Sequence, residues 1–207
     1  VTFLLFAVLL VSCSAPEKRL EKEHLTLTYL SQSALDSDMR GLKLKHPIKI
    51  SKEQTQNHLL LMHYEELSLL GKKRYVFSLN DVLAITPLIT KALNRMKANK
   101  ILHYEVETQK GKTEGTIFQT KGKIHWKFDY INGVGFKSSS LRLGSSWRLL
   151  PIKGQRFKGE RSVIGNSQEE NWVFANLDLP IKSKRGFKSI SHKNLPKVRS
   201  RVKIQNQ

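Results

Sequence analysis

The chain has one cysteine among its 207 residues. No intramolecular disulfide can brace it, and neither a C-x-x-C redox pair nor a cysteine zinc site is available. It also lacks an apolar run long enough to cross a bilayer. Phe3 to Val11 gives nine consecutive apolar residues, which as a helix cover about 14 Å of a hydrocarbon core about 30 Å thick. Catalytic signatures are equally sparse. The seven histidines, His24, His46, His58, His63, His103, His125 and His192, form neither H-E-x-x-H nor an H-x-H pair. On one helix, His58 and His63 would stand about 140° apart and could not share a metal. Glu65-Glu66 and Glu169-Glu170 are adjacent carboxylates rather than a convergent acid/base couple. Gly111-Lys112-Thr113 has Val106 where a phosphate loop needs its first glycine. No G-x-S-x-G nucleophile elbow occurs either. These absences call for no cofactor and no metal, and predict a protein that is not an enzyme. An envelope hydrolase whose residues meet only in three dimensions is the alternative.

The nine-residue apolar run has the length of a signal-peptide core, and small residues followed by the charged stretch EKRLEKE come directly after it. Leu10-Val11-Ser12-Cys13 resembles the lipobox of bacterial lipoproteins: leucine three positions before cysteine, a small residue just ahead of it, then cysteine. The resemblance covers about the first thirteen residues, and the family of the remaining body is not recognised. It implies that residues 1–12 are a signal peptide, that the Cys13 thiol carries a diacylglycerol, and that Cys13 becomes the acylated first residue of the mature chain. A lipidated cysteine is no longer a thiol nucleophile. In that family, aspartate after the cysteine tends to retain a protein at the inner membrane. Ser14 stands there, so the resemblance implies the periplasmic face of the outer membrane, with an inner-membrane or Gram-positive location as the alternative. At about 0.8 kcal/mol per buried CH₂, two or three acyl chains hold a protein on a membrane without a spanning helix.

Beyond the anchor, about 165 residues suffice for one core. Residues 13–40 read as a lipidated N-terminus and tether with a short strand, LTLTYL, inside. Ser51 is placed to cap an amphipathic helix that ends at Gly71, with Leu59, Met62, Leu67 and Leu70 as its apolar positions. A second helix is expected from Asn80 to about Lys97, capped by Ser78 or Asn80, with Pro87 kinking it or opening its main segment. The period then changes from 3.6 to 2. ILHYEVETQ, TEGTIFQT and KIHWKFDYI, separated by KGK and KG, predict three antiparallel strands. In the third, Ile124, Trp126, Phe128 and Tyr130 fall on one face and His125, Lys127 and Asp129 on the other. Gly133-Val-Gly135 breaks the sheet, and SWRLLPIKGQRF and ENWVFANLDLPI read as two further strands. Helices and strands come in blocks, which predicts an α+β fold: a mainly antiparallel sheet packed against two helices in a single domain over 41–181, followed by a basic tail over 182–207.

Charge is what the chain has in excess. Lys and Arg number 36 against 17 Asp and Glu, a formal net charge of +19. Nine cations, Lys182, Lys184, Arg185, Lys188, Lys193, Lys197, Arg199, Arg201 and Lys203, follow the last expected strand with no acid among them, and residues 13–181 still carry about +10. Such a segment attracts polyanions without choosing among them. An exported lipoprotein meets anionic lipid, lipopolysaccharide phosphates and peptidoglycan carboxylates, and seldom meets nucleic acid. The sequence therefore predicts a lipid-anchored, extracytoplasmic binding or structural component of the cell envelope. Extracytoplasmic nucleic-acid binding is a third reading, and no protein partner is indicated.

Overall fold

The computed structural model of the chain describes residues 19–22, 24–35, 37–67, 71–137, 147–159 and 169–185. The fold is α+β, and among the described residues the strands form two sheets in which every pairing is antiparallel. The larger contains β1 (Arg19–Lys22), β2 (Leu25–Ser31), β5 (Lys100–Thr108), β6 (Gly111–Thr120), β7 (Lys123–Ile131), β11 (Glu169–Asn176) and β10 (Gln155–Lys158) in that spatial order, with β8 (Val134–Gly135) paired to β7. The smaller has the order β4 (Lys73–Tyr75), β3 (His63–Glu66), β9 (Trp147–Leu149). Three helices join them: α1 (Ser37–Arg40), α2 (Lys52–Leu60) and α3 (Leu79–Arg95). Because β2 lies between β1 and β5 with Leu25 and Leu27 buried, the folded unit reaches back at least to Arg19. Much of the expected tether is thus sheet.

The helix starts follow local chemistry. Ser51 Oγ accepts from the Gln54 amide (3.1 Å) while Gln54 Oε1 accepts from the Ser51 amide (2.8 Å), a reciprocal cap that satisfies two N–H groups otherwise left without partners. Ser78 and Asp81 repeat the arrangement at α3. The end of the first helix departs from expectation: α2 stops at Leu60, and His63–Glu66 is a strand. From Leu61 onward Met62 and Tyr64 are buried while His63 and Glu65 are half-buried, an alternation of period 2 that pairs with β4 and β9. Pro87 does not open α3, which begins at Leu79; it lies within the helix on its exposed side.

One face of the large sheet is the main core. Val82, Ile85, Ile89, Leu93 and Met96, with Phe77 before the helix, cover Leu25, Leu27, Leu102, Tyr104, Ile117, Ile124, Trp126 and Phe128. Tyr29 Oη donates to the Ala92 carbonyl (2.9 Å) and fastens β2 to α3. The expected aromatic face of β7 holds as far as Phe128 and then breaks. Gly115 pairs with Phe128 but Glu114 with Tyr130, so Asp129 is an extra residue. Such a bulge inverts the inside/outside alternation: Tyr130 is 41% exposed and Ile131 only 1%. The opposite face is not simply polar. His125 is 7% exposed, stacked on Phe118 (4.8 Å) and Phe174 (5.4 Å). Met39, Ile101, Phe118 and Trp172 form a second, smaller core there, with Leu35, Leu42 and Leu44 packed against it.

Candidate functional site

Two turns at one end of the large sheet, the β5–β6 turn and the β7–β8 turn, pack on each other. Gly111 has φ of +107°, and a Cβ on it would lie 2.9 Å from the Gly133 Cα, so the approach depends on glycine. Asn132 knits the corner together. Its amide donates to Thr113 Oγ1 (3.1 Å), and its Nδ2 donates to the phenol oxygen of Tyr64 on β3 (2.9 Å). Between this corner, the β3–β4 hairpin and the start of α3 opens a cleft of about 570 Å³, within the range of small-molecule sites.

Its lining combines Tyr64, Tyr75 and Phe77 with the polar Ser78, Asn80, Gln109 and Asn132, and three cations: Arg74 on β4, Lys110 on the β5–β6 turn, and Arg185. Arg185 arrives on the chain segment after β11, which is strapped to α2: Asn57 Nδ2 donates to the Ile181 carbonyl and the Ser183 amide to Asn57 Oδ1, each at 2.9 Å. Its guanidinium donates to the Phe77 carbonyl from both Nη atoms (3.2 Å each) and to the Leu60 carbonyl (3.4 Å), and lies 3.8 Å above the Tyr75 ring. His63 packs against the same tyrosine at 4.3 Å. Loss of water around Arg185 lowers its pKa, and burial raises that of the Tyr64 phenol. Arg74 pairs with Glu66 (2.8 Å).

The one carboxylate in the lining, Asp81, accepts from the Ser78 amide, and Ser78 Oγ accepts from the Asp81 amide. The two side chains are engaged with each other's backbone amides, and among the described residues no histidine lines the cleft. Among the described residues, no group of three His, Cys, Asp or Glu could hold a metal, and no helix is long and apolar enough to cross a membrane. Cations, amide side chains and aromatic rings thus face one cleft together.

Of the residues singled out in the sequence, Cys13, Lys188, Lys193, Lys197, Arg199, Arg201 and Lys203 lie outside the described residues. Lys182 and Lys184 are exposed, whereas Arg185 is half-buried and belongs to the body of the fold. Arg74, Lys110, Asn132 and Tyr64 escaped the sequence reading. The one local signal was Asn132-Gly133, a dipeptide suited to a tight turn, and nothing in it tells which hairpin lies opposite. No protein-family model, no curated protein and no solved structure matches the chain.

Proposed function

We propose that the chain is a lipid-anchored, non-catalytic protein of the cell envelope that binds anionic polymers or lipids through its basic surface, tethered by acyl chains on Cys13 at the periplasmic face of the outer membrane. The observation that carries this reading is the order of the first residues: a nine-residue apolar run, then Leu10-Val11-Ser12-Cys13, then a body and C-terminal segment with an excess of positive charge. The cleft lined by Arg74, Lys110 and Arg185 adds a concave cationic surface that fits the anion-binding reading.

Only the Cys13 sulfur can carry a thioether-linked lipid, because the chain has no second cysteine. Cys13→Ser is therefore expected to give an unacylated precursor that fails to take up labelled palmitate and leaves the membrane fraction. A variant that is still acylated and still fractionates with membranes would overturn the anchor.

A further inference from the structure

We propose that the cleft binds a dianionic phosphate group, either free phosphate or a phosphate monoester, between Arg74, Lys110 and Arg185. The proposal rests on the reading that this protein binds anions, and it assigns one chemistry to one place. Three cations reach the cleft from three separate parts of the chain: an edge strand, a hairpin turn and the C-terminal strap. Arg74 is paired with Glu66 (2.8 Å) and Asp81 is held in the cap of α3, whereas Lys110 and Arg185 have no carboxylate partner among the described residues, which leaves two uncompensated cations facing the cleft. That matches a phosphate monoester, which carries about −1.5 to −2 at neutral pH, better than a monocarboxylate.

Arg185 is the informative member. Its guanidinium is half-buried, yet among the described residues its neighbours are two backbone carbonyls and the Tyr75 ring, with no carboxylate paired to it. A cation drawn partly out of water and left without a counter-ion is costly unless something anionic completes it. The carbonyls fix its position, and the planar guanidinium suits oxyanion recognition. Lys110 reaches the cleft from an exposed position and can adjust to the ligand, while Arg74 is steadied by Glu66. The N-terminus of α3 borders the cleft but is not the anion's seat, because Ser78 and Asp81 cap it reciprocally. Selectivity falls instead to the side chains, with Asn80, Gln109 and Asn132 available for the remainder of an ester.

The test uses the soluble Cys13→Ser full-length protein at about 300 mM salt, where the Debye length of roughly 6 Å weakens diffuse attraction to other basic segments. Glycerol phosphate and inorganic phosphate are titrated by phosphorus NMR, with acetate as the monocarboxylate control. Saturable binding of a phosphate probe is expected, stronger than that of acetate, and weakened about three- to tenfold by Lys110→Gln or Arg74→Gln, the loss of one charged contact in each case. Tighter binding of glycerol phosphate than of inorganic phosphate marks the ester as the ligand, and equal binding marks the free ion. Arg185→Lys keeps the charge but loses the planar fork, and is expected to weaken binding with less effect on the melting temperature than Arg185→Gln. Absence of saturable binding, acetate binding as well as phosphate, or affinities indifferent to Lys110→Gln and Arg74→Gln would each overturn the proposal. If the same protein still sediments with anionic vesicles at low salt, the cleft assignment fails alone and the general reading stands.

Discussion

Each face of the large sheet buries a histidine against a tryptophan, and the two pairs are solved differently. On the outer face Trp172 Nε1 donates to His125 Nδ1 (3.1 Å), so the ring's proton sits on Nε2 and is donated to Thr120 Oγ1 (2.9 Å). Every polar atom of that pair has a partner. On the helix-covered face His58 stacks with Trp126 at 6.0 Å and donates from Nε2 to the Leu177 carbonyl (3.1 Å). Its Nδ1, the Trp126 Nε1 and the nearby Tyr104 hydroxyl find no hydrogen-bond partner among the described residues. Burial nonetheless lowers both histidines from 6.5 to about 4. Loss of water therefore keeps both rings neutral, whether or not every ring nitrogen has a hydrogen-bond partner. The Tyr104 ring is a pillar of the core at 6.1 Å from Phe128, and its hydroxyl lies where a Cβ on Gly115 would meet it at 3.0 Å, so a glycine there makes room for a group that gains no bond.

Acid is expected to have the largest effect on the two buried histidines. Both histidines have folded-state pKa values below the unfolded 6.5, so the unfolded chain binds more protons between those values. The stability each neutral ring contributes is complete above pH 6.5 and is lost as pH falls towards 4. The gap from 6.5 to about 4 corresponds to about 3 kcal/mol per histidine. Urea melts at pH 7.5 and 4.5 are expected to differ by several kcal/mol, and His58→Gln or His125→Gln each to remove about half of the difference. A slope unchanged in both variants would show that neither ring is held neutral by burial.

A smaller effect sharpens the contrast between the faces. Trp172→Phe removes the donor to His125 Nδ1 and leaves a buried acceptor unpaired, which costs about 1–3 kcal/mol beyond the change in packing. Tyr104→Phe removes a hydroxyl without a partner and is expected to be neutral or stabilising by up to about 1 kcal/mol. Paired urea denaturation checks both. A loss of more than about 2 kcal/mol for Tyr104→Phe would mean that its hydroxyl is satisfied after all.

These contrasts also mark where the sequence could be read and where it could not. The strands from Ile101 to Ile131 and both helix starts were legible, because alternation, tight-turn residues and serine caps are local. The end of α2 was not: Leu59 to Met62 are all buried and fit a helix continuing to Gly71 as well as a strand, and only pairing with β4 and β9 decides between them. Tyr130 was misassigned because counting by twos fails across a bulge at Asp129 that depends on the register with β6. The burial of His125, on the face opposite Trp126, was not legible because it depends on Phe118, Trp172 and Phe174, which come from neighbouring strands. The cleft was invisible for the same reason. Tyr64, Arg74, Lys110, Asn132 and Arg185 come from separate stretches of the chain and meet only when two turns and a strap converge.

The strap also divides the nine C-terminal cations. Arg185 is held by the body, whereas Lys188, Lys193, Lys197, Arg199, Arg201 and Lys203 come after the last described residue. Whether the basic segment of a proposed envelope protein holds polyanions is decided by ending the Cys13→Ser protein at Arg185 rather than at Ile181, so that the strap stays in place. Co-sedimentation with phosphatidylglycerol vesicles is measured at about 50 and 300 mM salt, across which the Debye length falls to less than half. The full-length protein is expected to sediment at low salt and to be released at high salt. The shortened one is expected to melt at the same temperature and to stay in the supernatant in both. Equal sedimentation of the two at low salt would contradict polyanion binding by that segment.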